Sequence, residues 1–120
     1  MSLKINQLFS LQGKTALITG GSSGLGEGIA LALGLAGAKI AIAARREEQL
    51  FAAAERLRKQ GIEVTCFAAD LSVLEESAEL SQKVLNKLGK IDILVNAAGM
   101  NLREPFSTVS PKSWQEQVNV

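Results

Sequence analysis

The sequence has no histidine and no tyrosine, and it has only one cysteine among its 120 residues. Histidine-based catalytic triads and histidine-liganded metal sites therefore cannot be built from it, and two of the commonest acid–base side chains are missing. A structural zinc site is not expected, because one thiol without histidine cannot supply the usual ligands. We expect no metal site, and we interpret Cys66 as a small buried hydrophobe in a strand.

The sequence also lacks a large excess of charge and any long apolar run. Its 13 basic and 12 acidic side chains nearly cancel, so there is no basic field to attract nucleic acid or an anionic membrane. No apolar stretch has the length of a signal peptide core or of a membrane span. Without an export signal or an internal disulfide, we expect a cytoplasmic protein that binds neither nucleic acid nor membrane. A hydrophobic content of 47% is typical of a single globular domain.

What the sequence does contain is a glycine-rich stretch, Thr19–Gly26, between a predicted strand and a predicted helix. The apolar run of residues 15–18 precedes it, and apolar residues at helical spacing follow it. Gly20 would allow a tight turn, Gly24 a close approach of a pyrophosphate to the backbone, and Gly26 close packing of the helix on the strand. An anion would then meet the free N–H groups and the positive dipole end of that helix.

Hydroxyl groups in the same stretch extend this interpretation. Thr19, Ser22 and Ser23 can bond phosphate oxygens or brace the turn. A Walker phosphate loop does not fit, because no Lys-Ser or Lys-Thr follows the glycines. The alternative interpretation is a glycine-rich turn that joins a strand to a helix and binds no ligand.

Strands and helices alternate along the rest of the chain at a spacing typical of a parallel sheet. Further strands are expected at residues 38–44, 62–69 and 91–95, and the helices between strands end near Ala36, Gly61 and Gly89. The alternation predicts an α/β fold with right-handed crossovers. We expect a Rossmann-like doubly wound parallel sheet, with the strand order 3-2-1-4 of that class and flanking helices. The sheet is predicted to be incomplete, because its fourth strand would be an apolar edge.

The helix before the fourth strand has a predicted start and a predicted inner face. Ser72 and Glu75 fit a capping box at its beginning. Apolar and small residues then recur at helical spacing, and we expect them to face the sheet. These residues are Leu74, Ala78, Ser81, Leu85 and Leu88.

A last helix is predicted to begin at Ser110, with Pro111 at its first helical position. Val109 and Trp114 are spaced as a hydrophobic staple around that start. Trp114 and Val118 need an apolar surface to pack against, and the fourth strand also lacks a neighbour on one side. These features favour the hypothesis that residues 1–120 are the first half of a longer protein.

Two motifs resemble the short-chain dehydrogenase/reductase family. The pattern Thr-Gly-x-x-x-Gly-x-Gly of residues 19–26 is one, and residues 96–99 (Asn-Ala-Ala-Gly) are similar to the Asn-Asn-Ala-Gly that follows that family's fourth strand. The resemblance covers residues 11–120, the amino-terminal half of a family member. It implies that the following residues bind a nicotinamide cofactor: Thr19, Gly20, Ser22, Ser23, Gly24, Leu25, Gly26, Arg45, Arg46, Asp70, Leu71, Asn96, Ala97, Ala98 and Gly99.

The resemblance also implies an activity, namely an NAD(P)-dependent oxidoreductase that interconverts a ketone or aldehyde and an alcohol by hydride transfer. Residues 1–120 would form its cofactor-binding half-domain, with a small-molecule carbonyl or alcohol as the substrate. Complete family members are usually dimers or tetramers, so we expect a homo-oligomer when the protein is complete.

Arg45 and Arg46 follow the second strand, where this family selects between NAD and NADP. NAD binding needs an acidic side chain there, whereas this sequence has Ala44 and then two guanidinium groups. A guanidinium suits a 2′-phosphate, so NADP is favoured and NAD is less expected. The alternative is a solvated arginine pair balanced by Glu47 and Glu48. However, cations at a helix start oppose the dipole and no polar side chain caps this helix, which favours a functional reason.

Two further positions have roles that the resemblance implies. Asp70, with Leu71 beside it, would contact the adenine, although it fits equally well as a turn residue before a helix. Asn119 would belong to the catalytic group, because in the family an asparagine at this place holds a water that relays protons to the active-site lysine. The alternative is an ordinary polar residue in a helix.

The Ser and the Tyr-x-x-x-Lys pair of the family are not identifiable in this sequence, since tyrosine is absent and Lys112 lies in no such motif. A carbonyl reduction needs a proton donor placed at the oxygen while hydride arrives. These residues alone are therefore predicted to bind a nucleotide without turnover. The alternative hypothesis is a naturally short, non-catalytic nucleotide-binding module, completed by oligomerisation or by another chain.

Overall fold

A computed structural model describes residues 10–97 of the chain. Within these residues, strands and helices alternate in the order β1 Thr15–Thr19, α1 Gly24–Leu35, β2 Lys39–Ala44, α2 Glu47–Arg58, β3 Val64–Ala68, α3 Leu74–Leu88 and β4 Ile93–Asn96. This alternation confirms the predicted α/β organisation. The helix predicted to begin at Ser110, with Trp114 and Val118, lies outside the described residues.

The strands form one parallel sheet in the order β3-β2-β1-β4. β1 pairs with β2 on one side and with β4 on the other. Thr19, the last residue of β1, is in register with Ala43 of β2 and with Asn96 of β4. The predicted strand order is confirmed, and β4 is an edge strand of the sheet within residues 10–97.

The core lies on both faces of the two central strands. β1 is buried along its whole length, and every residue of β2 after Lys39 is buried. One apolar cluster joins these strands to α1 and α2, and a second cluster joins them to Leu80 and Val84 of α3. Burial on both faces explains why β1 and β2 are continuously apolar and do not alternate with polar residues.

Glycines close two of the helices at the predicted places. Gly37, two residues after the end of α1, has a φ of +111°. Gly89 follows α3 with a φ of +85°, and its N–H donates to the Leu85 carbonyl at 2.8 Å. Residues that carry a side chain rarely adopt such positive φ values. Glycine at these two positions therefore lets the chain turn back toward the sheet after each helix.

The predicted capping box of α3 is wrong. The helix begins at Leu74, its N-cap residue is Val73, and no side chain caps it. Ser72 instead donates its backbone N–H at 3.0 Å and its hydroxyl at 2.6 Å to Asp70 Oδ1. The Ser72 side chain is therefore turned toward Asp70 and does not reach the first turn of the helix.

The predicted inner face of α3 is also wrong, except at Leu88, which is half-buried against the sheet. The structure buries Leu80 and Val84 instead. The remaining predicted residues are not buried in the core, namely Leu74, Ala78, Ser81 and Leu85. Both sets recur at helical spacing, so periodicity alone could not choose between them. Packing of Leu80 and Val84 against Leu17 of β1 decides the rotation of the helix.

β3 is shorter than predicted. It covers Val64–Ala68, whereas residues 62–69 were expected, and Ile62 and Ala69 are buried just outside it. Cys66 lies in β3 as predicted, but it is half-buried because β3 is the other edge of the described sheet. Burial raises the pKa of the Cys66 thiol, which disfavours the reactive thiolate.

Candidate functional site

The carboxyl ends of the parallel strands meet at one edge of the sheet, which we call the ligand edge. The described candidate residues lie at this edge, because each of them follows or ends a strand. They are the turn after Thr19 of β1, Arg45 and Arg46 after β2, Asp70 and Leu71 beyond the end of β3, and Asn96 and Ala97 at the end of β4. Open α/β sheets bind their ligands at this edge. Ala98, Gly99 and Asn119 lie outside the described residues, so their roles stay predictions.

The glycine-rich turn begins with a backbone conformation that favours glycine. Gly20 has a φ of +75°, and its N–H donates to the Ala43 carbonyl of β2 at 2.7 Å. The turn therefore bends away from β1 while it remains bonded to the neighbouring strand. This is the tight turn that the sequence predicted for Gly20.

Ser23 braces the turn and caps α1. Its hydroxyl donates to the Gly20 carbonyl at 2.8 Å and accepts the N–H of Gly26 at 3.0 Å. Its own carbonyl accepts the N–H of Glu27 at 2.8 Å. The sequence left two roles open for this hydroxyl, a bond to phosphate or a brace of the turn, and in the structure it braces the turn. The remaining N–H groups of the first turn point out of the helix start toward the ligand edge.

The glycines of the turn differ in the space around them. A Cβ on Gly26 would lie 2.1 Å from the Gly20 carbonyl oxygen, so any side chain there would displace the turn itself. Apart from its chain neighbours and its own helix backbone, a Cβ on Gly24 would meet no atom of residues 10–97 within 4 Å. Gly24 is exposed, and this open space at the start of α1 fits a phosphate group that approaches the backbone. The described residues therefore leave room for a phosphate group at this helix start, and the binding of a dinucleotide there stays a prediction.

Gly21 is a structurally required position that the sequence did not single out. A Cβ at this position would lie 2.6 Å from the Cβ of Ile42, inside the core of β2. The requirement comes from the neighbouring strand and not from the turn, so the glycine motif by itself carried no signal for it. The only hint in the sequence is the pair of consecutive glycines.

Thr19 and Asn96 join the turn to the end of β4. The buried Thr19 hydroxyl donates to Asn96 Oδ1 at 2.9 Å and lies 3.3 Å from the Val95 carbonyl. The N–H of Ala97 donates to the Thr19 carbonyl at 2.9 Å. With its oxygen turned to Thr19, Asn96 presents its amide nitrogen as the group that can donate to a ligand. The sequence placed both residues at this edge but did not predict their contact.

Arg45 and Arg46 are exposed where the chain passes from β2 to α2. Arg46 is the N-cap residue of α2 and makes no side-chain capping bond, as the sequence predicted. Glu47 and Glu48 occupy the first turn of that helix. The cationic side chains thus lie at the ligand edge, on the β2 side of the glycine turn.

Asp70 forms the turn that leads to α3. Its Oδ1 accepts the two hydrogen bonds from Ser72, and these bonds are the largest cause that lowers the pKa of the Asp70 carboxyl. The positive charge of Arg45 also lowers this pKa, as the smallest of its causes. The turn role is therefore seen directly, and the adenine contact stays a prediction. Leu71 is half-buried against the α3 cluster.

Two kinds of site are absent from the part of the chain that the structure describes. Residues 10–97 contain no group of three or more acidic or thiol side chains arranged to hold a metal ion. No helix in the same range is both long enough and apolar enough to cross a bilayer.

Comparisons with known proteins agree with this geometry. Residues 14–120 match the family described as short chain dehydrogenase. An uncharacterized oxidoreductase of Mycobacterium tuberculosis is 41% identical over 108 residues, which are 90% of this chain and 41% of that protein. The solved structure of 2-keto-3-deoxy-D-gluconate dehydrogenase from Streptococcus agalactiae is also similar, with a TM-score of 0.75 and a sequence identity of 33%. The match covers 99% of this chain and 45% of that chain.

A second solved structure is similar and contains a cofactor. L-Sorbose reductase from Gluconobacter frateurii, complexed with NADPH and L-sorbose, is 34% identical with a TM-score of 0.72, over 92% of this chain and 43% of that chain. The chain spans less than half of the length of each of these three proteins. The similarity therefore covers the fold and the ligand edge described above, and not a whole relative.

Proposed function

The chain belongs to the short-chain dehydrogenase family, and on this premise we propose that it forms the NADP-binding part of an oxidoreductase. The intact protein would interconvert a ketone or aldehyde and an alcohol by hydride transfer. We further propose that residues 1–120 are the amino-terminal half of a longer single-domain enzyme, which works as a homo-oligomer in the cytoplasm.

One observation carries the cofactor assignment. The turn of residues 20–26 opens at the amino end of α1, with empty space over Gly24 and a brace from Ser23 that holds the turn in shape. A helix start combines free N–H groups with the positive end of the dipole, and both favour a pyrophosphate.

The preference for NADP rests on Arg45 and Arg46. Two guanidinium groups at the end of β2 suit a 2′-phosphate, whereas an acidic residue would be needed to accept from the ribose hydroxyl of NAD. The NADPH complex of L-sorbose reductase is consistent with this choice in a similar protein. Asp70 and Leu71 would lie beside the adenine at the next strand.

When bound, NADP would supply or accept the hydride. This chain would hold the phosphates over Gly24, keep the 2′-phosphate at Arg45 and Arg46, and place the amide of Asn96 beside the cofactor. The proton that accompanies the hydride needs a donor, and the 120 residues contain no tyrosine to provide it. We propose that this group belongs to the intact protein and that Asn119 helps to organise its water.

The missing tyrosine also fits the second hypothesis, a non-catalytic nucleotide-binding module completed by a partner. The two hypotheses differ in the mass of the natural protein and in the residues encoded after Val120. A reading frame that continues into Ser and Tyr-x-x-x-Lys, with a protein mass to match, supports the enzyme. A natural protein of 12.7 kDa would support the module.

Cofactor binding is tested with a matched pair of glycine variants in the intact protein. Gly24→Val and Gly28→Val each add a side chain where, apart from the local helix backbone, no atom of residues 10–97 lies within 4 Å of the new Cβ. Only Gly24 faces the proposed pyrophosphate, so Gly24→Val should weaken NADPH binding about tenfold or more, and Gly28→Val should leave it unchanged. Calorimetric titration measures both. Equal affinity in the two variants would contradict the proposed phosphate site.

A further inference from the structure

β3 ends the sheet on the side away from β4, and within residues 10–97 no strand lies beside its outer backbone groups. In doubly wound sheets of the order 3-2-1-4, later strands are added beyond the fourth strand. β3 therefore stays an edge strand when the sheet continues in the intact protein. An open edge is a template for pairing with another chain, so its protection matters for assembly.

The pairing with β2 determines which backbone groups of β3 face outward. The Ile40 N–H donates to the Glu63 carbonyl at 3.0 Å, and the Ala69 N–H donates to the Ala44 carbonyl at 3.1 Å. Parallel strands use alternate residues for such bonds, so the odd-numbered residues of β3 and its flanks are bonded to β2. The remaining residues direct their N–H and carbonyl groups away from β2, namely Val64, Cys66 and Ala68.

Arg58, the last residue of α2, lies across the first part of this edge. Its Nη2 donates to the outward carbonyl of Val64 at 2.9 Å. It also reaches the Cys66 thiol. Burial is the largest cause and raises the pKa of that thiol, whereas the charge of Arg58 and a hydrogen bond with it act in the opposite direction. The guanidinium therefore occupies the place that the N–H of an added strand would take at Val64.

The rest of the edge is open and partly apolar. The hydrogen bonds among residues 10–97 leave the outward backbone groups of Cys66 and Ala68 free, and Ala68 is exposed. Phe51 lies seven residues before Arg58, on the same side of α2, and is 53% exposed. Arg58 ends α2 beside the start of β3, so Phe51 lies toward the end of that strand. The open backbone groups and the exposed ring together form a surface to which an extended strand could bind.

We propose that Arg58 blocks the β3 edge against pairing with β3 of a second copy of this chain. A second copy fits because the outward groups are self-complementary. In an antiparallel pair about a two-fold axis, Cys66 would exchange both backbone bonds with its equivalent, and Val64 would do so with Ala68 of the other strand. The bond from Arg58 takes the Val64 carbonyl, an acceptor needed at each end of that pair. The inference does not depend on cofactor binding.

Sedimentation velocity of the intact protein over a range of concentrations tests the proposal. Arg58→Ala frees the Val64 carbonyl and should add an association step to the wild-type assembly, at concentrations about tenfold or more below any at which the wild type shows it. Lys59→Ala is the matched control, because it removes a cation at the same end of α2 and leaves the bond to Val64 in place. It should assemble as the wild type does. Added association in neither variant, or in both alike, would overturn the proposal.

A proline in β3 then locates the contact. Ala68→Pro removes the outward donor that the freed Val64 carbonyl would accept, and it leaves the bonds to β2 in place. Combined with Arg58→Ala, it should restore the wild-type assembly, and alone it should change nothing. Association that persists in the double variant would overturn the proposal, because the contact would lie elsewhere.

A smaller assembly in Ala68→Pro alone would overturn it as well, because β3 would then be paired in the wild type despite Arg58. If the proline variant does not fold, Ala68→Lys places a charge on the same exposed position and distinguishes the same outcomes.

Discussion

The Thr19 hydroxyl donates to Asn96 Oδ1 at 2.9 Å and so ties the last residue of β1 to the last residue of β4. The two residues are 77 positions apart in the sequence, yet they are directly paired in the sheet. The bond holds the start of the glycine turn against the strand that carries the Asn-Ala-Ala-Gly motif. This side-chain bond adds to the backbone pairing of β1 with β4, in which the Ala97 N–H donates to the Thr19 carbonyl at 2.9 Å.

Thr19→Val should weaken this edge, because it removes the donor and leaves the Asn96 oxygen without its partner. We expect a loss of about 1 kcal/mol in the free energy of unfolding and a comparable loss in NADPH affinity. Urea unfolding and calorimetric titration measure the two quantities. Thr19→Ser keeps the hydroxyl and should behave nearly as the wild type, and an equally large loss in that variant would show that the methyl group, not the hydrogen bond, is responsible.

Gly26→Ala should be strongly destabilising, because its Cβ would lie 2.1 Å from the Gly20 carbonyl oxygen and the backbone of the turn would have to move. A cost of about 3 kcal/mol is expected, at the upper end for overpacking. Gly28→Ala, in the same helix with open space around the new Cβ, should instead stabilise by up to about 1 kcal/mol through helix propensity. Denaturant unfolding of both variants distinguishes them, and a cost shared by both would mean that the contact with Gly20 does not explain the loss.

Arg45→Asp should weaken NADPH binding by about 1 kcal/mol or more and should spare NADH, because it replaces a partner of the 2′-phosphate with a like charge. Lys59→Asp makes a similar charge change at the opposite end of α2 and should affect neither cofactor. Parallel titrations with NADPH and NADH provide the measurement. Unchanged NADPH affinity in Arg45→Asp would contradict its role in selecting the cofactor.

Glu27 should contribute stability that depends on pH. Arg56 donates two hydrogen bonds to its carboxylate, at 2.6 and 2.8 Å, and these bonds are the largest cause that lowers the Glu27 pKa. A lowered carboxyl pKa gives stability that is present above the unfolded-state value and is lost as the pH falls through the folded-state value. Glu27→Gln should therefore lower the melting temperature at neutral pH by about 1–3 °C, with little difference from the wild type in acid.

The ion pair can also be tested from its other side. Arg56→Gln removes the second partner of the ion pair between α1 and α2 and should show the same dependence on pH, because the two changes delete one interaction. A difference between Glu27→Gln and the wild type that persists in acid would mean that packing around residue 27 causes it. High salt should also reduce the difference at neutral pH.

Much of the fold could be predicted from local features of the chain. The turn at residues 19–26, the helix ends at Gly37 and Gly89 and the strand order 3-2-1-4 agree with the structure. The turn and the helix ends follow from the conformational preferences of single residues, and the strand order is the one typical of the Rossmann-like sheets that the glycine turn indicates. The position of Arg45 and Arg46 at the ligand edge was predictable for the same reason.

The errors arose where two local patterns were equally good. In α3, the stripe that includes Leu74 and Leu85 has the same spacing as the stripe that includes Leu80 and Val84. Ser72 likewise fits both a capping box and a turn bonded to Asp70. In each case the choice depends on how the segment packs in the folded protein. Periodicity and residue spacing carry no information about that packing.

The sequence by itself determined which residues turn, which segments form strands and helices, and which strand ends carry polar groups, because these properties depend on neighbours along the chain. Only the tertiary structure decided which face of α3 is buried and that Gly21 must lack a side chain beside Ile42. It also decided that Thr19 bonds Asn96 at one end of β4 and that Thr15 bonds Asp92 at the other end. These relationships join segments that are distant in sequence, and they form only when the sheet brings the segments into register.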